Sequence, residues 1–190
     1  MQQFQFIVHV SFSEDQASIL KKKFSKIFTG VRTGNRNNFD EFCKKIFPFC
    51  MEIYEMGKDL SPFEGNSDLP HATSIFSVGA IISSNILPLF KSYSPKSNAL
   101  HEMACNVIGE NKFEYGRISF LKNIWPITKR IEGVHVKKLI AEPVMGGYAI
   151  DALLKFKDGR FVEEAKEYQS RFPNDWNKKR IALYIERYAE

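Results

Sequence analysis

Hydrophobic residues in the first third of the chain recur mainly at the spacing of α-helices. A short alternating segment, Gln5 to Phe12, predicts a strand. Ser13 and Gln16 then have the spacing of a capping box, which predicts the start of a helix that ends near Gly30. A second helix is predicted from about Asn38 to Met56, because its apolar residues again follow the helical period.

The middle of the chain is apolar and contains prolines. Pro70 to Tyr93 predicts a buried helix that breaks near Pro88, because proline lacks a backbone donor and clashes with the preceding turn. Ser97 is the predicted N-cap of the next helix, Ala99 to Gly109. No internal repeat is evident in the sequence.

Beyond Phe113 the pattern changes to short apolar runs separated by glycine-containing turns. The three strands predicted there are Val134 to Pro143, Tyr148 to Phe156 and Arg160 to Lys166. Asp175 to Ala189 is predicted to be a final helix. The predicted fold class is therefore α/β (α+β), with a mostly helical region over residues 1–95. Residues 96–190 are predicted to form a helix packed on a mixed sheet of three to four strands.

Composition limits the class of protein more than it identifies a function. The chain has 190 residues, 44% of them hydrophobic, which is enough for a substantial core. No apolar run reaches the roughly 18 residues that span a bilayer, and the N-terminus has no basic segment typical of a signal peptide. We therefore predict a cytoplasmic protein with no membrane partner. No glycine-rich phosphate loop is present, so no nucleotide cofactor is expected.

Two of the predicted strands bring together residues suited to phosphodiester hydrolysis. If Asp158-Gly159 forms a hairpin turn, Asp151 lies opposite Glu164 and Lys166, and the last two point to the same face. Two carboxylates suit Mg²⁺, for which Mn²⁺ can substitute, and the metal would acidify a water. A lysine beside it would orient that water, and Glu102 from the preceding helix would complete the metal ligands.

The order of these residues resembles the core of the PD-(D/E)XK nuclease superfamily. Within it, the runs GGYAIDALLKFKDGRFVEEAK and NKKRIALYIERYAE are most similar to the endonuclease subunit of heteromeric transposases (the TnsA family), over roughly residues 97–190. The resemblance implies a metal-dependent DNA endonuclease in transposition, with a separate transposase subunit as partner. The residues that it assigns to catalysis are Glu102, Asp151, Glu164 and Lys166, with Asp151, Glu164 and Glu102 holding the metal.

Basic clusters are the candidate contacts to DNA. The formal net charge of +5 permits binding to phosphates without requiring it. Under the nuclease hypothesis, Lys178, Lys179 and Arg180 are predicted to hold the DNA backbone, and Lys137 and Lys138 are further candidates.

A second interpretation makes the same C-terminal stretch helical. Phe161, Ala165, Tyr168 and Phe172 recur at the spacing of one helix face, which places Glu164 and Lys166 among the solvated residues. The protein would then be a non-catalytic helical adaptor that binds a protein partner through a C-terminal helical hairpin. The two hypotheses differ in whether residues 160–166 form a strand or a helix.

Overall fold

The protein is all-α. A computed structural model describes residues 11–31, 35–62 and 68–189; the structure is 76% helical, and these residues contain no β-strand. Within these described ranges the α-helices are α1 (Glu14–Thr29), α2 (Arg36–Gly57), α3 (Pro70–Ile81), α4 (Asn98–Gly109), α5 (Val136–Ala141), α6 (Gly146–Phe156), α7 (Val162–Arg171) and α8 (Lys178–Tyr188). Between α4 and α5, residues 111–128 form a further helical element of 3₁₀ and π turns, named here the central segment.

Capping residues set the helix starts where the sequence predicted them. The Ser13 hydroxyl accepts from the Gln16 amide at 3.2 Å, and the Gln16 side chain accepts from the Ser13 amide at 3.0 Å. These two bonds complete the predicted capping box, and α1 ends with Gly30 as its C-cap. Ser97 caps α4 by accepting from the Leu100 amide at 3.0 Å. Both predicted starts are confirmed.

The second helix is slightly longer than predicted, and the strand predicted before the first helix is not described. Helix α2 begins at Arg36, because the Asn35 side chain accepts from the Asn37 amide at 2.8 Å and acts as the N-cap. Of the predicted strand Gln5 to Phe12, residues 5–10 lie outside the described residues.

Two proline kinks share a sequence and a backbone geometry. The pattern Asn-Ile-x-Pro-x-x-Lys occurs at residues 85–91 and 123–129. In each, a π turn (Ile82–Ile86, Phe120–Ile124) precedes a 3₁₀ turn that holds the proline (Leu87–Phe90, Trp125–Thr128). Proline clashes with the helical turn before it, and the wider π turn provides room. The predicted break near Pro88 is confirmed, whereas its equivalent at Pro126 was not predicted.

Glycines allow α3 and the central segment to pack closely. A Cβ on Gly79 would lie 2.8 Å from the Phe120 ring, and a Cβ on Gly116 would lie 2.8 Å from the Ala72 carbonyl oxygen. By length and composition, the apolar stretch Pro70–Phe90 that includes α3 could cross a membrane, but half of its most apolar window is buried within the protein. Core helices of soluble proteins pass the same test, so the cytoplasmic localisation stays a prediction.

The helices pack on neighbours in the chain and also on helices farther along it. In one row, α3 contacts the central segment, which contacts α6, which contacts α8. In a second row, α2 contacts α4 and α5 contacts α7. One hydrophobic cluster includes residues from both sides of residue 95. This stacking leaves the outer faces of α5 and α7 side by side on the surface.

The predicted α/β class is wrong, because the three predicted strands are helices α5, α6 and α7. Helix α6 is buried over nearly its whole circumference, and a short, mostly apolar run of this kind is compatible with a buried strand or a buried helix. Asp158-Gly159 joins two helices instead of closing a hairpin. Ala165 and Tyr168 bury the face of α7 that the helical interpretation predicted. The predicted C-terminal helix is confirmed as α8.

Candidate functional site

Asp151, the predicted metal ligand on α6, joins two helices. Its carboxylate is only 4% exposed and accepts from Arg180 Nε on α8 at 2.5 Å. Lys155, one turn later on α6, places its Nζ 3.5 Å from the other carboxylate oxygen. The carboxylate is therefore engaged by two cations of the protein itself.

The other three predicted catalytic residues lie in separate surroundings. Glu164 on α7 pairs with Lys137 on α5 at 2.6 Å, which holds the pKa of the Glu164 carboxyl below its ordinary value. Lys166 pairs with Glu163 at 2.7 Å. It does not lie beside Glu164, because residues two apart on a helix point to different sides. Glu102 is exposed on α4. Among the described residues, no group of three or more His, Cys, Asp or Glu side chains is placed to hold a metal ion.

Of the five predicted DNA contacts, two form ion pairs within the protein and three are exposed without one in the described ranges. Arg180 and Lys137 hold the two carboxylates described above. Lys178 and Lys179 are exposed in the first turn of α8, and Lys138 is exposed on α5. Within the described ranges these last three lysines have no ion pair, and they are not gathered on one helix face.

An open cleft of about 720 Å³ lies at the N-terminal end of α5. One wall is the loop that leads into α5, and the other is the turn between α6 and α7. Its apolar lining comes from Ile131, Val134, Val136 and Phe161. A volume of this size fits within the range of ligand-binding clefts and accommodates several side chains of a partner.

The loop wall of the cleft is anchored to α4. The Cys105 thiol lies 3.5 Å from the Glu132 carbonyl oxygen, and the Arg130 guanidinium donates to the Asn98 side chain at 2.7 Å. Gly133 has a φ of +80°, and a Cβ there would lie 3.1 Å from the Cys105 sulfur. Glycine therefore allows both the left-handed backbone and the close approach.

A cysteine and a histidine meet behind this loop. Cys105 Sγ lies 3.6 Å from His101 Nε2, and His101 Nδ1 lies 3.3 Å from the Thr128 hydroxyl. This order of groups is typical of an activated thiol. However, burial raises the pKa of Cys105 to about 11, and the charges of Glu102 and Glu132 act in the same direction. The thiol is thus protonated at neutral pH, and its contacts fix the loop.

The turn wall is held by a buried tyrosine of α8. The Tyr184 hydroxyl donates to the Asp158 carbonyl at 2.8 Å and accepts from the Phe161 amide at 3.3 Å. Burial raises the pKa of Tyr184 to about 12, so the hydroxyl keeps its proton. The Arg160 guanidinium pairs with the Asp158 carboxylate at 2.6 Å and lowers its pKa. Both walls of the cleft are thus fixed by contacts within the protein.

The charges that line the cleft are mostly cationic, but two of them are neutralised. Lys137 and Arg160 pair with carboxylates of α7 and of the α6–α7 turn. Lys138 has no ion pair within the described ranges, and Glu132 is the one acidic residue in the lining. Among the described residues, the cleft is therefore an apolar pocket with one unpaired cation, Lys138, and one unpaired carboxylate, Glu132.

An exposed apolar pair lies beyond the other end of α5. The Tyr168 hydroxyl lies 2.9 Å from the Pro143 carbonyl oxygen and 2.7 Å from an Asp175 carboxylate oxygen, so the two chain segments meet there. The next residues of these segments are Val144, which is 53% exposed, and Trp176, which is 90% exposed. Tryptophan is one of the residue types enriched among the residues that dominate binding at protein interfaces.

The cleft and the exposed apolar pair are connected along α5 and α7. Lys137 lines the cleft and also a cavity of about 90 Å³ between these helices, and the lining of that cavity reaches Tyr168. The surface that runs from Phe161 through Lys137 to Val144 and Trp176 is named here the α5–α7 surface.

Comparison with protein-family models, with curated proteins and with solved structures finds no match to this chain. Along the α5–α7 surface, Lys137, Lys138 and Glu164 were functional candidates from the sequence, whereas Phe161, Val144 and Trp176 were not. Trp176 lies among Asn and Asp residues in a turn, and that polar context is the one sequence signal for its exposure.

Proposed function

We propose that the protein is a non-catalytic helical adaptor that binds a protein partner on the α5–α7 surface. The observation that carries this proposal is the preformed cleft of about 720 Å³, both walls of which are fixed by internal hydrogen bonds. A site that is already ordered loses little conformational entropy when a partner binds.

The lining indicates the chemistry of the partner segment. Its apolar wall, which includes Val134 and Phe161, suits a large apolar side chain, and the open cation Lys138 suits a neighbouring carboxylate. Trp176 suits the role of an anchor at the other end, because buried tryptophans contribute strongly to protein interfaces. A nucleic acid would need unpaired cations for its phosphates, whereas Lys137 and Arg160 are paired internally.

Metal-dependent DNA cleavage in transposition, with Mg²⁺ and a transposase partner, stays a prediction. It depended on paired strands that would bring Asp151, Glu164 and Lys166 to one metal. These residues lie on helices, and each is paired with a different side chain. The adaptor hypothesis uses the helical hairpin of α7 and α8 as the structure has it.

Peptide binding provides the test of this proposal. The probe is a fluorescent pool of peptides of about ten residues, each with one Phe, Leu or Trp between aspartates and a proline near each end to hold it extended. We expect Lys138→Glu and Trp176→Ala each to weaken binding about tenfold or more. Lys91→Glu is the matched control, since Lys91 is exposed, has no ion pair in the described ranges and lies outside the cleft.

Two results would overturn the proposal. One is that the peptide pool binds no better than a control pool in which lysine replaces each aspartate. The other is metal-dependent cutting of plasmid DNA that is lost in Lys166→Ala, since Lys166 is exposed and its replacement leaves the core intact. Asp151→Ala is a poorer test of cleavage because it disturbs the packing of α6 on α8.

A further inference from the structure

A second groove lies between α1 and α2, remote in sequence from the cleft. Its volume is about 310 Å³. The apolar floor comes from Ile27 on α1 and from Pro48 and Phe49 on α2. Contacts between aromatic rings hold the two helices together beneath it, with Phe24 and Phe49 centroids 5.9 Å apart.

Four lysines form the rim of this groove. Lys23 and Lys26 come from α1, and Lys44 and Lys45 come from α2, so cations stand on both sides. Lys23 pairs with Glu52, and Lys44 pairs with Glu41 at 2.7 Å.

The other two rim lysines are open. Lys26 and Lys45 are exposed and have no ion pair in the part of the chain that the structure describes. One belongs to each helix. A ligand in the groove would therefore meet one unpaired cation from each wall.

We propose that the α1–α2 groove binds an acidic amphipathic helix of a protein partner. The apolar face of that helix would cover Ile27 and Pro48, above the buried Phe49 ring, and its carboxylates would pair with Lys26 and Lys45. Grooves between two helices commonly receive a third amphipathic helix, and cations on both sides select an acidic one. A phosphate backbone would leave the apolar floor uncovered, and a membrane surface would meet a concave groove in place of a flat cationic face.

This site does not depend on the proposed function of the α5–α7 surface. Two separate docking surfaces would let one chain bridge two partners, which is what an adaptor does. Each surface binds or fails to bind on its own, and substitutions at one leave the other unchanged.

The test uses a synthetic helical peptide of about 18 residues, with leucine along one face and glutamate elsewhere. At about 0.15 M salt, where charges beyond roughly 8 Å are screened, we expect Lys26→Glu/Lys45→Glu to weaken binding about tenfold or more. The matched control is Lys21→Glu/Lys22→Glu, which changes the same charge on exposed residues of α1 outside the groove. That variant is expected to change affinity less than about threefold. Lys138→Glu, at the cleft, is expected to have no effect.

Several outcomes would overturn this inference. One is that both double variants weaken binding equally, which would indicate unspecific charge attraction. Another is that a scrambled peptide of the same composition binds as well as the amphipathic one. A third is that a DNA duplex or a phosphatidylserine vesicle binds in a manner sensitive to Lys26 and Lys45 while the peptide does not bind.

Discussion

Replacing Asp151 by alanine removes the carboxylate that joins α6 to α8. The Asp151 carboxylate is 4% exposed and accepts from Arg180 Nε at 2.5 Å, while Lys155 approaches it at 3.5 Å. Its two cations are far less buried than the carboxylate, because the Arg180 side chain is 45% exposed and that of Lys155 is 37% exposed. Each cation can regain water when the carboxylate is lost.

This difference in exposure between the carboxylate and its two cations sets the order of the expected losses in the free energy of unfolding. A charge-assisted hydrogen bond contributes about 1.5–3 kcal/mol, and recovered solvation of Arg180 lowers the loss for Asp151→Ala to about 1–2 kcal/mol. Arg180→Ala instead leaves a buried carboxylate with Lys155 as its one remaining cation and is expected to cost about 2–3 kcal/mol. The double variant is expected to lose about as much as Asp151→Ala alone, because its buried charge is gone.

Urea unfolding followed by circular dichroism at the helical band measures these differences. With a slope of about 2–3 kcal/mol per molar, Asp151→Ala should lower the midpoint by roughly half a molar. A midpoint for Asp151→Ala that equals that of the wild type would refute the buried contact. A smaller loss for Arg180→Ala than for Asp151→Ala would refute the argument from exposure. Glu163→Ala, which removes an exposed pair with Lys166, is the control and should change little.

Three further predictions follow from single residues. Gly133→Ala should cost about 1–2 kcal/mol because of its φ of +80°, whereas Gly109→Ala, whose Cβ would meet nothing, should be neutral or slightly stabilising in the same thermal melts. Burial lowers the pKa of His71, so His71 is protonated at a higher pH in the unfolded state than in the folded state. The free energy of unfolding should therefore fall as the pH drops below about 6.5, and His71→Phe should remove this dependence. Trp176→Phe should leave stability within about 0.5 kcal/mol and remove the exposed-indole fluorescence, leaving only that of buried Trp125; no change in the emission spectrum would contradict the exposure.

The elements that the sequence predicted correctly depend on local signals. The capping box of Ser13 and Gln16 involves residues three apart, and the break at Pro88 follows from its missing backbone donor. Such signals act within one or two helical turns. They identify a helix start or break whatever the remainder of the chain does.

The strand predictions failed where burial, and not local preference, decides the pattern. Helix α6 is enclosed by α5, α8 and the central segment, so most of its residues are buried, including Asp151. A short apolar run between glycines is compatible with a buried strand or a buried helix. The stripe of Ala165 and Tyr168 supported a helix for α7, and the resemblance to nucleases favoured the strand.

By itself the sequence determined the approximate ends of α1, α2 and α4 and the position of the first proline kink, since these depend on residues close together in the chain. Only the tertiary structure decided the class of the C-terminal half and the surroundings of its charged residues. Asp151 meets Arg180, and Glu164 meets Lys137, because α6 packs on α8 and α5 packs on α7. Contacts between residues more than twenty positions apart depend on how complete helices bury their apolar faces, and no local pattern contains that information.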